Sequence, residues 1–123
     1  NFDKVAAIES RGFVFASTVS YQLNKPFILL RKKNKLPAET HSIDFELEYG
    51  KAELEMHTDA LKRSDSVLII DDVLATGGTA TAGVQLIEKA GATVSGLGFV
   101  IEIKILKGKD KLKQYPLKAL VTY

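Results

Sequence analysis

Short apolar runs separated by polar turns set the rhythm of this chain. Lys4–Ile8 (KVAAI), Pro26–Leu30 (PFILL) and Val67–Ile70 (VLII) are runs of that kind. Bounded by turn formers, they read as strands buried on both faces. Phe13–Leu23 reads as a helix, with Phe13, Ser17 and Val19–Ser20 at helical spacing. Ala80, Val84, Ile87 and Ala90 share one face of a second helix over Ala80–Ala90, and Gly91 sits where a C-terminal cap belongs. Thr93–Ile105 reads as a further strand region and Leu117–Tyr123 as a last strand. Leu36–Leu61 is polar and mixed, with weak strand alternation in Phe45–Tyr49 and Glu53–His57. Strands alternating with helices predict an α/β fold: an open, mostly parallel sheet with helices on both faces. Such sheets bind ligands beyond the carboxyl ends of their strands. The candidate site therefore gathers the loops after Ile8, Leu30 and Ile70.

Composition narrows the class without naming the chemistry. The 123 residues suffice for one compact domain. The net charge of +2 makes no electrostatic case for nucleic acid as the main partner. Cysteine is absent, which removes disulfides, thiolate nucleophiles and cysteine metal sites, and suits a reducing compartment. No run is long enough to span a bilayer, and no signal peptide opens the chain. A cytoplasmic domain, 1–123, with no membrane partner is the expectation. Asn1 is no initiator methionine, and a buried strand follows almost at once, so the sequence reads as starting inside a longer protein.

The stretch after Ile70 carries the most information. Two adjacent carboxylates, Asp71 and Asp72, precede Ala75-Thr76-Gly77-Gly78-Thr79, and then a helix begins. Glycine permits positive φ and close approach of a ligand to the backbone. A helix start adds unpaired N–H groups and partial positive charge. Together they suit a phosphate. Thr76 and Thr79 add hydroxyls, and Thr79 is also a candidate helix cap. The loop is not a Walker A motif and not a G-x-G-x-x-G fingerprint. Carboxylates beside a phosphate cradle suit the vicinal hydroxyls of a ribose. A tight strand-to-helix turn with a surface acidic pair is the plainer alternative.

VLIIDDVLATGGT resembles the phosphoribosyl pyrophosphate (PRPP) motif of type I phosphoribosyltransferases, and its LATGGT form is similar to that of the adenine phosphoribosyltransferases. The resemblance extends, in order, through ESRGF, RKKNKLPAET, FELEYGKAELEMH and FVIEI. It implies a phosphoribosyltransferase-like open sheet with a flexible lid loop or hairpin over residues 36–61. It also implies that Asp71, Asp72, Ala75, Thr76, Gly77, Gly78 and Thr79 bind the ribose phosphate. Ser10, Arg11, Gly12, Arg31, Lys32 and Lys35 would hold pyrophosphate, with a cis peptide at Glu9–Ser10; Lys33 is read as solvent-facing. Glu48, with Tyr49 beside it, matches the segment that carries the family's catalytic glutamate, and Arg11 joins them as a catalytic candidate. The N-terminal hood that helps enclose the base in this family is expected to be absent.

Residue chemistry agrees with several of these roles. Arg11 offers a fork of donors matched to phosphate oxygens. Glu48 suits general acid–base work on a purine, although Glu46, Glu48, Glu53 and Glu55 also suit the outer face of a hairpin. His41 and His57 lack metal-ligand spacing and read as structural or solvent-facing. Glu102 is expected close to the ligand, with no role assigned. The implied reaction is adenine plus PRPP giving AMP and pyrophosphate, with Mg²⁺ as cofactor held mainly through PRPP, in a homodimer. The alternatives are a non-catalytic PRPP-binding regulatory module and an enzyme acting on hypoxanthine or xanthine.

Overall fold

A computed structural model describes residues 1–47 and 50–123. Its strands are β1 (Lys4–Ile8), β2 (Phe27–Lys32), β3 (Thr40–Leu47), β4 (Gly50–His57), β5 (Ser66–Leu74), β6 (Thr93–Glu102) and β7 (Leu117–Thr122), with helices α1 (Gly12–Leu23) and α2 (Gly78–Lys89). They form a seven-stranded sheet in the order β3-β4-β2-β1-β5-β6-β7. The run β2-β1-β5-β6-β7 is parallel, and the β3–β4 hairpin joins the β2 edge antiparallel. The mostly parallel α/β sheet expected from the sequence is present.

Alternation along β1 divides the core. Ala6 and Ile8 point to the α2 face, where they join Leu30, Ile69 and the fully buried Leu86 and Ile87. Val5 and Ala7 point to the α1 face and pack with Ala16, Phe13 and Phe27. The Phe13 and Phe27 rings meet edge to face at 5.7 Å. Truncating Leu86 or Ile87 to alanine would cost about 2–5 kcal/mol. The two helices therefore cover opposite faces, as predicted, though unequally. On the α1 side Val14, Phe15, Tyr21, Leu23 and Leu120 remain exposed.

Both helices stop where the sequence provides a left-handed residue. Asn24 takes φ 54° after α1, and its N–H donates to the Ser20 and Tyr21 carbonyls. Gly91 takes φ 89° after α2, and its N–H donates to the Glu88 carbonyl at 2.9 Å.

Several boundaries differ from the sequence reading. β2 continues through Arg31 and Lys32, because these pair with Glu55 and Leu54 of β4. β5 continues through Asp71 to Leu74, because β6 pairs alongside it as far as Leu74↔Glu102. Asp71 and Asp72 are therefore strand residues, not loop residues. β6 stops at Glu102, and the chain then turns through two short 3₁₀ helices, Lys104–Leu106 and Gly108–Leu112, that periodicity did not indicate. Much of the long mixed segment is a regular hairpin, paired from Thr40↔His57 to Leu47↔Gly50. Among the described residues no helix is long and apolar enough to cross a membrane.

Candidate active site

The ends of β1 and β5, the start of α2 and one wall of the hairpin enclose a cleft of about 360 Å³. Ser10, Arg11 and Lys32 line it on one side, and Asp71 through Ala80 line its floor and far side. Phe45, Ala52 and Leu54 of the hairpin close it with apolar surface. This is the carboxyl-end crevice expected of a parallel sheet.

Asp71 and Asp72 are placed by the carboxyl half of β5. The Asp72 N–H donates to Asp71 Oδ1 at 2.8 Å, and Arg11 Nε stands 2.9 Å from Asp72 Oδ2. Arg11 is 82% exposed and Asp72 only 18%, so the guanidinium lies over a partly sunken carboxylate. Burial pushes the Asp71 carboxyl up to about 7; the adjacent Asp72 carboxylate adds to the rise, and the Asp72 N–H and Arg11 oppose it.

Gly12 explains how α1 comes so close to these carboxylates. A β-carbon there would stand 2.6 Å from Asp71 Oδ1 and 3.3 Å from the Ile70 carbonyl oxygen. Its contribution is close packing behind the site; it does not line the cleft. The Glu9–Ser10 peptide just before is cis, as expected.

The segment 75–79 turns on Gly77, which takes φ 86° and caps α2. No side chain caps this helix. Thr79 is therefore not the cap, because the helix has already begun at Gly78. Thr81 instead donates its hydroxyl to the Gly77 carbonyl at 2.6 Å. Gly78 faces open space, with only Thr76 Oγ1 within 4 Å of an added β-carbon. The backbone there can be approached by an anion, supported by the positive end of α2.

The basic run is divided. Lys32 lines the cleft, while Arg31 and Lys35 do not. Glu9 Oε1 accepts from Arg31 Nε at 3.2 Å and from the Lys32 N–H at 2.7 Å, which holds Arg31 beside the β1 end. Lys35 lies in the exposed connection after β2. Glu102 is 7% exposed, and its carboxylate accepts from Thr122 Oγ1 at 3.4 Å; it faces β7 and does not line the cleft. His57 is partly buried with Nε2 unpartnered, and His41 pairs in register with Met56. Glu48 and Tyr49 lie outside the described residues.

Two supporting residues escaped the sequence reading. Glu9 is one. Its signal was available: in parallel register Ile8 pairs with Leu30, so the next residues, Glu9 and Arg31, are neighbours of opposite charge. The other is Gly108. A β-carbon on Gly77 would stand 2.7 Å from the Gly108 carbonyl oxygen, and one on Gly108 would overlap the Ala75 carbonyl. The 3₁₀ segment thus buttresses the 75–79 turn from behind.

Residues 1–118 match the model of the phosphoribosyl transferase domain. The chain belongs to the phosphoribosyl transferase family. A relative from Pelagibacter ubique, an adenine phosphoribosyltransferase, is 58% identical over 98% of this chain and 70% of its own length. The crystal structure of adenine phosphoribosyltransferase from Thermoanaerobacter pseudethanolicus superposes with a TM-score of 0.97 at 44% identity, covering 100% of this chain and 72% of that one. The adenine phosphoribosyltransferase of Saccharomyces cerevisiae, solved with an imino-altritol bisphosphate and adenine, gives 0.93 at 38% identity over 98% of this chain and 68% of that one. This phosphoribosyltransferase thus shares with them the whole sheet that builds the cleft.

Proposed function

We propose that this phosphoribosyltransferase transfers the 5-phosphoribosyl group from PRPP to adenine, giving AMP and pyrophosphate in purine salvage. The observation that carries the reading is the pair of carboxylates, Asp71 and Asp72, lying between the Arg11 guanidinium and the Gly77 turn at the start of α2. The adenine bound in the yeast relative supports the choice of base.

Residue roles follow from the cleft's chemistry. The 75–79 turn receives the 5-phosphate with backbone N–H groups and the Thr76 and Thr79 hydroxyls. Asp71 and Asp72 accept from the ribose hydroxyls and stabilise positive charge that grows on the ring as the anomeric bond to pyrophosphate breaks. Ser10, Arg11 and Lys32 meet the departing pyrophosphate, with Gly12, Arg31 and Lys35 behind or beside them. Anchoring the phosphate far from the breaking bond orients the reacting carbon. The apolar hairpin wall of Phe45, Ala52 and Leu54 keeps water off that carbon. Glu48, with Tyr49, serves the base as a general acid–base group.

Mg²⁺ fits this donor set. Asp71 and Asp72 are hard oxygen ligands, and Mg²⁺ typically takes one or two carboxylates together with substrate phosphates. Among the described residues no cluster of three or more potential ligands exists, so PRPP oxygens would complete the shell. When bound, the ion neutralises phosphate charge. The exposed apolar side chains around α1 and β7 support a homodimer as the working unit, and the cysteine-free composition supports a cytoplasmic location.

Glu48→Gln tests whether the cleft catalyses or merely binds. Turnover should fall by about 10²–10⁴-fold while PRPP affinity changes little. Equal loss of turnover and PRPP binding would overturn the assigned role.

A further inference from the structure

The segment Lys104–Lys113 (KILKGKDKLK) carries five lysines against one aspartate, more net positive charge than the whole chain's +2. All five lysines are exposed, while Gly108 and Leu112 are buried and fasten the segment to the body. The fastening point is the back of the 75–79 turn, where Gly77 and Gly108 pack backbone against backbone. Lys107 and Lys109 flank Gly108 directly, and Lys107 holds a left-handed φ of 56°. None of these lysines lines the cleft.

We propose that this lysine-rich 3₁₀ segment is an electrostatic capture surface that draws the multiply charged phosphates of PRPP toward the 75–79 turn. The inference rests on the PRPP reading of the cleft. Lys107 and Lys109 adjoin Gly108, whose backbone packs on Gly77, so they are the lysines best placed to act on the turn at physiological salt, where the Debye length is about 8 Å. A net positive flank near a cleft raises encounter rates without entering the chemistry. The expected signature is therefore in kcat/KM for PRPP and in its salt dependence. It is absent from kcat and from KM for the base.

The test compares Lys107→Gln/Lys109→Gln with the wild type, and with a control of equal charge change, Lys25→Gln/Lys62→Gln, at the opposite end of the sheet. Lys109→Gln/Lys111→Gln leaves the left-handed Lys107 in place and guards against a folding defect. Kinetics and calorimetric PRPP titrations run from about 0.01 M salt, where the Debye length is about 30 Å, to about 1 M, where it is about 3 Å. At low salt kcat/KM for PRPP should drop roughly threefold or more in both segment variants, with kcat unchanged. The difference should vanish at high salt, and the control should stay within about twofold of wild type at every salt. A loss that persists at high salt, a loss in kcat, or an equal loss in the control would overturn the proposal. Wild-type protein that binds PRPP with this salt dependence but forms no nucleotide would sink the catalytic reading and leave this one standing. Wild-type protein that does not bind PRPP would overturn both.

Discussion

Arg11 Nε and Asp72 Oδ2 stand 2.9 Å apart across the mouth of the cleft. Each is thereby occupied by the other until an anion draws the arginine away and ribose hydroxyls take the carboxylate. Arg11→Ala should lower kcat/KM by about 10²-fold or more, the range for removing one preorganised donor from developing negative charge. Because Arg11 is mostly exposed, its ion pair adds little to folding, and stability should change by less than about 1 kcal/mol. Steady-state kinetics beside a urea melt check both halves. A large loss of stability would assign Arg11 a structural role in place of the catalytic one.

Asp71 should make stability depend on pH. Its folded-state pKa of about 7 lies above the ordinary carboxylate value, so between about pH 4 and pH 7 the native protein keeps a proton the unfolded chain has released. Stability contributed by this group therefore falls as pH rises through that window. Asp71→Asn retains an oxygen for the Asp72 N–H and carries no charge. The variant should resemble the wild type near pH 4 and exceed it near pH 8 in urea denaturation, while losing PRPP-dependent activity. An equal stability difference at both pH values would contradict the account.

Glu9 should matter more than its position in a turn suggests. It accepts from Arg31 and from the Lys32 backbone, and it is largely buried. Glu9→Ala leaves both donors without their partner and should cost about 1–3 kcal/mol. Glu9→Gln keeps an acceptor and should cost less. Glu9→Ala should weaken PRPP binding, measured by calorimetry, because Arg31 and Lys32 lose their common anchor, and Glu9→Gln should weaken it less. Unchanged binding in Glu9→Ala would remove Glu9 from the site's support.

What the sequence disclosed, and what it withheld, follows one physical division. Local chemistry was legible. KVAAI and VLII read as buried strands, and Gly91 as a helix stop, because propensity and periodicity decide them within a few residues. The turn at Gly77 was legible because a glycine pair before a helix has few other uses. Features set by distant partners were not. Asp71 and Asp72 looked like loop residues because only pairing with β6 extends β5 beneath them. Arg31 and Lys32 looked like a basic run beyond the strand because their strand partner, β4, lies two dozen residues onward. Gly108 gave no local signal at all, since its constraint is the backbone of Ala75 and Gly77.

The measurement that bears most directly on the central claim is product formation. The chain is incubated with PRPP and Mg²⁺ and with adenine, hypoxanthine or xanthine in parallel, and nucleotides and pyrophosphate are quantified by chromatography. The account predicts AMP and pyrophosphate in equal amounts from adenine, and little product from the other two bases. Nucleotide from hypoxanthine or xanthine in preference to adenine, or none from any base while PRPP still binds, would contradict it.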